Sequence, residues 1–532
     1  MSKNIRALSA RLELSDNLFR HLNPSGKASG PQSDEALRRA ASSALLTPAV
    51  TYGTASFYDF LQPENAGRKT WTCAGTACLV SGTIAPGCKS AGKAQCVGYC
   101  HSGGGLLARD GKGHFSTHHF DGRDVTQLSM PVYNFSESGI LTGEAGDVAA
   151  LYDTALRRET GEIVAELKAS GLRGRGGAGF AFAFKLAATA AAKGARKYIV
   201  CNADEGDPGA FSDRYLLEQQ PHKVMAGMYA AAIAAGADSA VLYIRREYPE
   251  AIAVVQKAIL DYERLQDDIA SRVKFHIVEG AGSYVCGEET ALLNSIEGNR
   301  PEVRTRPPYP AEAGLWGRPT LVSNVETFAN IPWILQRGGA AFAAIGTPAS
   351  TGTKLLSLSS LFVRPGLYEV DCGASFGELL HEHAGGFITD IKALQVGGPL
   401  GSVIPPAQAE ALTVDFESFA EAGFALGHAG VIAIPESFPM LDFLRHLFDY
   451  MADESCGKCT PCRVGTARGA ELLAAASQKS PASLPVLNDL LELLQHGSLC
   501  ALGGGLPLPV RNCLEHFRPE LESAFSGWED AS

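Results

Sequence analysis

Residues 198–278 read YIVCNADEGDPGAFSDRYLLEQQPHKVMAGMYAAAIAAGADSAVLYIRREYPEAIAVVQKAILDYERLQDDIASRVKFHIV, and this stretch decides the fold. It opens on the apolar run Tyr198-Ile199-Val200-Cys201 and repeats such a run from Ala240 to Arg245 and from Val273 to Val278. Helix-like segments lie between them, around 222–235 and over 249–264. Short runs rich in β-branched and aromatic residues read as strands, and the longer segments with helical periodicity read as helices. Their alternation is that of an α/β domain.

Upstream, residues 153–170 read as one helix with Leu156, Ile163, Val164 and Leu167 on a face, stopping at Gly171. Then comes Gly171-Leu172-Arg173-Gly174-Arg175-Gly176-Gly177-Ala178-Gly179-Phe180, with a literal G-x-G-x-x-G at Gly174, Gly176 and Gly179. A dinucleotide fingerprint should follow a strand; this one follows a helix. The physics of the loop stands regardless. Closely spaced glycines let backbone N–H groups approach an anion, and Arg173, Arg175 and Lys185 add positive charge, which suits a phosphate-bearing ligand; a purely structural loop is the alternative. Two acidic segments accompany it, Asn202 to Gly209 directly after a strand and Gly280 to Thr290 with Glu288 and Glu289. Carboxylates at strand ends suit hydroxyls or a carboxamide, although each segment alone also reads as an ordinary turn or cap. Cys201 and Cys286 sit in apolar settings and read as packing residues.

Downstream, short strands with Gly and Pro turns over about 353–430 read as a small α+β module, and from Pro439 the chain is helical. The organisation expected is a polar helical extension over 1–48, a cysteine-bearing module over 49–150, a ligand-binding α/β domain over 151–340, the small module over 341–435 and a helical domain over 436–532.

The helical domain carries Cys456-x2-Cys459-x2-Cys462 and, 37 residues on, Cys500 before Gly503-Gly504-Gly505, read as a turn. Thiolates are soft ligands, and three in one tight turn hold three corners of an iron–sulfur cubane, with the fourth from elsewhere. Lys458 and Arg463 stand near enough to offset the charge. A zinc site, which usually shows paired C-x2-C knuckles, and inert thiols are the competing readings. Five further cysteines fall in the 28 residues from Cys73 to Cys100; Cys513 reads as a core residue.

The bulk numbers bound the rest. The 532 residues suit several domains, and 45% apolar residues fill several cores. A formal charge of −11 argues against non-specific nucleic-acid binding and against an anionic membrane surface. No apolar run is long enough to span a bilayer, and the first 30 residues do not read as a secretory signal. A reducing cytoplasm is therefore expected, with the thirteen cysteines as metal ligands or buried thiols.

Together, GLRGRGGAGF (171–180), CNADEGDPGAFSDR (201–214), GAGSYVCGEETALLNSIEGNRPEVRTRPPYP (280–310), GRPTLVSNVETFANIP (317–332) and ESCGKCTPCR (454–463) with SLCALGG (498–504) resemble the NADH-binding flavoprotein subunit of NADH:quinone oxidoreductase. Similar to it are the diaphorase subunits of NAD-dependent formate dehydrogenases and NAD-reducing hydrogenases. The strings keep family order over about 150–515, with two departures: Ala181-Phe182-Ala183 where the family has Pro-Thr-Gly, and Ser323-Asn324 for Asn-Asn. The resemblance implies a Rossmann-like domain whose FMN is held by Gly174, Arg175, Gly176, Gly177, Gly179, Lys185, Asn202, Asp204 and Asn324. It implies an NAD(H) site near Phe180, Glu205, Asp207, Tyr284, Gly287, Glu288, Glu289 and Tyr309, with Glu205 and Glu288 positioning rather than exchanging protons. It further implies a ubiquitin-like β-grasp module and a helical bundle holding [4Fe–4S] on Cys456, Cys459, Cys462 and Cys500.

The N-terminal module resembles the thioredoxin-like [2Fe–2S] subunit of the same complexes, through Thr54-Ala55-Ser56-Phe57-Tyr58, Cys73-x4-Cys78 and Cys96-x3-Cys100. Only 17 residues separate the two pairs, about half the family's usual gap, so the module either holds a [2Fe–2S] cluster or is a vestigial docking domain. A diaphorase passing electrons between NAD(H), FMN and [4Fe–4S] is implied, within a complex whose catalytic subunit is a formate dehydrogenase alpha-type chain or a hydrogenase module, with or without a small iron–sulfur subunit. Val396 to Gly401, Gly427 to Gly430 and SLCALGG look more like formate dehydrogenase diaphorases; the fused module looks more like hydrogenases. Formate dehydrogenase is the preferred reading. A respiratory NADH dehydrogenase subunit and a non-catalytic electron-relay scaffold are the alternatives.

Overall fold

The computed structural model describes Leu14, Leu22 and residues 30–83, 91–120, 125–126, 129–476 and 480–530. The three strands read from residues 198–278 form, with a fourth, a wholly parallel sheet in the order Thr320–Asn324, Tyr198–Ala203, Ser239–Ile244, Lys274–Glu279. The first three are flanked by Pro221–Ala235 and Pro249–Glu263, close to the helices expected. The apolar face of Pro221–Ala235 packs on Val325–Arg337 at bare-backbone distance: a Cβ on Gly227 would lie 1.9 Å from the Phe328 carbonyl oxygen.

Residues 153–170 are not one helix. Val148–Leu156 ends at Arg157, and Thr160–Ala169 restarts behind a capping box in which the Glu159 and Glu162 side chains each receive the other's backbone N–H. The seven-residue step from Leu156 to Ile163 suits one face of a continuous helix as well, which is why periodicity alone joined them. Gly171, at φ +66°, ends the second helix as expected.

A second sheet of six strands has the order Ser402–Ile404, Ile391–Val396, Gly430–Pro435, Thr353–Leu358, Gly366–Asp371, Val132–Asn134, with mixed directions. Its edge strand Val132–Asn134 comes from upstream of 150, so the expected module boundary there runs past this pairing. A five-stranded sheet near the N-terminus joins Gly92–Ala94, Thr70–Cys73, Gly105–Arg109, Phe115–Phe120 and Val125–Thr126, with the short helix Thr76–Val80 after its first strand. Of the polar helical extension before it, Asp34–Ser43 is a helix capped by Ser33, and the part before residue 30, apart from Leu14 and Leu22, lies outside the described residues. The C-terminal helices Met440–Asp453, Thr460–Ala475, Leu484–Gly497 and Pro507–His516 pack around a core of Phe443, Leu447, Phe448, Leu487 and Leu491. The molecule is thus a mixed α/β protein of several sheets and a helical end. No helix among the described residues is long and apolar enough to cross a membrane.

Candidate functional site

A cleft of about 430 Å³ opens where the parallel strands end, within the ~300–1,000 Å³ usual for ligand sites. Its wall is built from Arg175, Gly176 and Gly177 of the glycine loop, Asn202 at the end of Tyr198–Ala203 and Asp204, Glu205 and Asp207 after it, Tyr284, Gly287 and Glu288, and Asn324. The topology explains the meeting: the ends of adjacent parallel strands lie side by side, and open α/β sheets bind ligands there. Asn324 accepts from the Thr327 backbone N–H and so caps Val325–Arg337. A Cβ on Gly176 would lie 3.2 Å from Asn324 Cβ, so the loop's glycine is what keeps that floor clear.

Not every expected residue reaches the cleft wall. Gly174 and Gly179 lock the loop on itself, through Gly174 N–H to the Phe180 carbonyl at 2.8 Å and Arg173 Nε to the Gly179 carbonyl at 2.7 Å. Phe180 and Tyr309 are exposed outside it, at 48% and 56%. Lys185 and Glu289 form an ion pair at 2.9 Å, and Arg306 holds the other Glu289 oxygen at 2.9 Å. The loop's expected cations are likewise partnered by protein: Arg173 with Glu417, and Arg175 with the Thr351 carbonyl. Arg175 nonetheless keeps Nε buried without a partner among the described residues, as does Asp204 its Oδ2, and both residues line the cleft. The glycine loop and the polar strand-end side chains that share this wall fit a ligand carrying phosphate and hydroxyls, as FMN does.

The floor is acidic. Burial pushes the Asp204 carboxyl up to about 8, against the opposing charge of Arg245. Glu205 is also raised by burial, although the backbone N–H groups of Asp213 and Arg214 donate to it at 2.9 and 3.1 Å and hold it back. Glu288 caps Glu289–Ile296, its Oε2 accepting from Thr290 and Ala291 N–H at 2.9 Å. The rest of the wall lies outside the residues expected from sequence: Gly397, Leu400, Gly401, Gly427 and His428 from the second sheet's loops, and Ala501, Leu502 and Gly505. Their glycine-rich strings were visible, yet only the fold brings residues so far along the chain to this cleft.

That wall includes Cys500. Cys456, Cys459, Cys462 and Cys500 line one small cavity with Val285, Val303, Leu499 and Leu502. Cys459 caps Thr460–Ala475 and Cys462 lies in its first turn, where the helix N-terminus favours thiolate. Burial pushes Cys462 up to about 11 and Cys500 up to about 12, so metal binding here releases protons. Four thiols lining one cavity suit the four corners of an iron–sulfur cluster. Gly503 lies in the short helix Ala501–Gly505 rather than the expected turn. The close approach still holds: a Cβ there would meet Cys462 Cβ at 2.9 Å. Lys458 pairs with Glu302 at 3.2 Å and Arg463 donates to the Gly457 carbonyl at 2.9 Å.

The N-terminal cysteines form a second buried group. Cys96 and Cys100 sulfurs stand 3.5 Å apart, close to the ~3.8 Å edge of a tetrahedron with ~2.3 Å metal–sulfur bonds. Cys73 sits among Cys78, Cys96 and Cys100; a hydrogen bond with Cys78, and burial, raise its thiol well above the ordinary value against the lowering contact with Cys96. The Gly209 N–H, two residues from Asp207 of the cleft, points at Cys100 sulfur from 3.3 Å. The 17-residue gap therefore does not keep the pairs apart.

A family model described as the Nuo51 FMN-binding domain matches residues 167–333, and one described as the NADH-ubiquinone oxidoreductase-F iron-sulfur binding region matches 442–524. The chain is 42% identical over 382 residues to the NADH-quinone oxidoreductase F 2 subunit of Rhizobium meliloti (strain 1021), covering 69% of this chain and 90% of that one. It is 42% identical over 372 residues to the NADP-reducing hydrogenase subunit HndC of Solidesulfovibrio fructosivorans, covering 68% and 76%. A crystal structure of NAD+-reducing [NiFe]-hydrogenase in the H2-reduced state is similar with a TM-score of 0.82 at 30% identity, over 96% of this chain and 94% of that one. On these grounds, and on the cleft and thiols they coincide with, the chain belongs to the NADH-binding flavoprotein subunits of the NADH:quinone oxidoreductase family, oxidoreductases that carry FMN and a [4Fe–4S] cluster.

Proposed function

We propose that this chain is the diaphorase subunit of a larger complex, exchanging electrons between NAD(H) and a catalytic subunit that oxidises formate. The observation that carries the diaphorase reading is one cleft whose wall includes both the glycine loop at Gly176 and Gly177 and the cluster ligand Cys500. A bound FMN would supply what no side chain can, exchange of a hydride on one side and single electrons on the other. The chain's residues hold and orient. Arg175, Gly176, Gly177 and Asn324 form the anion and sugar end; Asp204, whose buried carboxyl holds a proton near neutral pH, faces hydroxyls. Glu205, Asp207, Tyr284 and Glu288 line the side open to the nicotinamide nucleotide, with Phe180, Lys185, Glu289 and Tyr309 at its outer rim. The acidic wall disfavours a 2′-phosphate, so NADH is preferred over NADPH.

Cys73, Cys78, Cys96 and Cys100 fit a [2Fe–2S] cluster in a thioredoxin-like module, and the second sheet fits a β-grasp module. The formate assignment rests on Val396 to Gly401, Gly427 to Gly430 and SLCALGG. A hydrogenase partner is the second reading, favoured by a structural similarity that spans 96% of the chain, N-terminal module included. The test is a complex isolated through a tag on this chain: NAD reduction with formate and none with hydrogen is expected, and the reverse overturns the formate assignment. The chain alone, loaded with FMN, should reduce ferricyanide with NADH.

A further inference from the structure

Two loops of the second sheet meet backbone to backbone at the cleft. A Cβ on Gly427 would lie 2.7 Å from Gly397 Cα, and a Cβ on Gly398 would lie 2.7 Å from both Asp207 Oδ1 and His428 Nε2. Gly397, Gly398 and Gly427 have φ of +85°, +80° and +58°, and Ala429 adopts +66° despite its side chain. Left-handed backbone is unfavourable for a residue with a side chain, and strain kept beside a cleft is a mark of function. Here the strained turn has a visible product, because it brings the Gly430 N–H onto His428 Nδ1 at 3.0 Å. With Nδ1 accepting, the ring's hydrogen sits on Nε2. Nε2 stands 3.4 Å from Asp207 Oδ2 and has no hydrogen-bond partner of good geometry among the described residues. The other Asp207 oxygen accepts from the Tyr284 hydroxyl at 2.7 Å. All three residues line the cleft.

We infer that His428 is a positioning residue for NAD(H) binding: with Tyr284 it holds the Asp207 carboxylate in the plane that the nicotinamide nucleotide meets, so the second sheet's loops complete the substrate site. The inference rests on the reading of Asp207 as part of that site. Without the imidazole one carboxylate oxygen is unsupported, and the carboxylate is free to turn about the Tyr284 contact. The loss falls on nucleotide affinity rather than on the reaction step.

The test uses the full FMN-loaded chain as wild type, His428→Ala, His428→Gln, Asp207→Asn and the double variant His428→Ala/Asp207→Asn. It reads the Kd for NAD+ by titration calorimetry, and KM and kcat for NADH with ferricyanide. His428→Ala is expected to raise Kd and KM by up to about fivefold, less than a well-formed hydrogen bond to a charged group is worth, with kcat changed less than KM. His428→Gln, which keeps a side-chain N–H, recovers most of that loss. The double variant is no weaker than Asp207→Asn alone, because the two act as one unit. Additive losses in the double variant, an unchanged Kd in His428→Ala, or a His428→Gln as weak as His428→Ala would each overturn the positioning role while leaving the substrate site standing. An unchanged Kd in Asp207→Asn would overturn the site reading itself, and the inference with it.

Discussion

At Glu288 one carboxylate oxygen takes the N–H groups of Thr290 and Ala291 and the Thr290 hydroxyl, and this leaves the other oxygen to the cleft. A glutamine keeps a capping oxygen but loses the charge, so Glu288→Gln should retain FMN and lower kcat/KM for NADH by about tenfold, the worth of one charged hydrogen bond; wild-type turnover would remove this carboxylate from the substrate site. Asp204 yields a pH prediction whose sign is fixed. Its folded carboxyl titrates at about 8, raised by burial, against ~3.9 unfolded. Its contribution is complete below pH ~4 and is lost as pH rises toward 8, because the folded chain keeps a proton the unfolded chain has released. Asp59, pushed up to about 7 by burial and then by Glu247, acts in the same direction. The thermal midpoint of the cofactor-free chain should therefore fall between pH 5 and 8, and fall less in Asp204→Asn; parallel curves would contradict the buried proton. Cys459→Ser should remove the larger cluster's iron and leave flavin bound, and an unchanged iron content would sink that ligand. The cysteines were legible as cluster candidates because such ligands sit at fixed local spacings, as from Cys456 to Cys462. His428 was not, because nothing in Gly427-His428-Ala429-Gly430 says that Asp207, more than two hundred residues earlier, waits opposite.

Elements were read well where their signal is local and failed where it is not. Tyr198–Ala203, Ser239–Ile244 and Lys274–Glu279 announce themselves as apolar runs between helices of fifteen residues, Pro221–Ala235 and Pro249–Glu263. Thr320–Asn324 does not: it runs straight into the helix capped by its own last residue, and becomes a strand only by pairing with Tyr198–Ala203. Val132–Asn134, three residues long, is a strand only because Leu367 to Glu369 offer it an edge. The same non-local logic makes Gly227 a structural residue inside a helix. Its missing Cβ lets Pro221–Ala235 lie against the Phe328 carbonyl, and a methyl there has no room at 1.9 Å. Gly227→Ala should therefore destabilise the chain by about 1–3 kcal/mol, the cost of overpacking, despite alanine's better helix propensity. A thermal midpoint equal to or above wild type would show that the two helices slide apart freely. Because Val325–Arg337 is capped by Asn324 at the cleft, the same variant should also loosen FMN.

For the molecule as a whole, the question is where electrons leave. The cleft walled by the glycine loop also reaches Cys500, and the helical bundle that carries this cysteine shows apolar side chains to solvent: Val464 45%, Val486 55%, Leu493 54% and Leu499 39% exposed. Val464 follows Cys462 by two residues and Leu499 precedes Cys500 directly, while Val486 and Leu493 share a groove of the same bundle with Leu472 and Leu490. Exposed apolar groups on the bundle of the iron–sulfur binding region suit the centre of an interface, with a polar rim supplied by Arg468, Glu471 and Asp489. A chain built this way is half of a circuit. Alone and loaded with its cofactors, it should reduce ferricyanide with NADH but neither oxidise formate nor consume hydrogen. Placing aspartate at both Val486 and Leu493 should leave flavin, iron and NADH–ferricyanide activity intact, since both side chains are exposed and neither lines the cleft. In the complex the same variant should cut partner co-purification and substrate-linked NAD reduction together by at least about tenfold, since burying two unpaired charges costs several kcal/mol. Undiminished co-purification on gel filtration would mean the partner docks elsewhere and that this groove is ordinary surface.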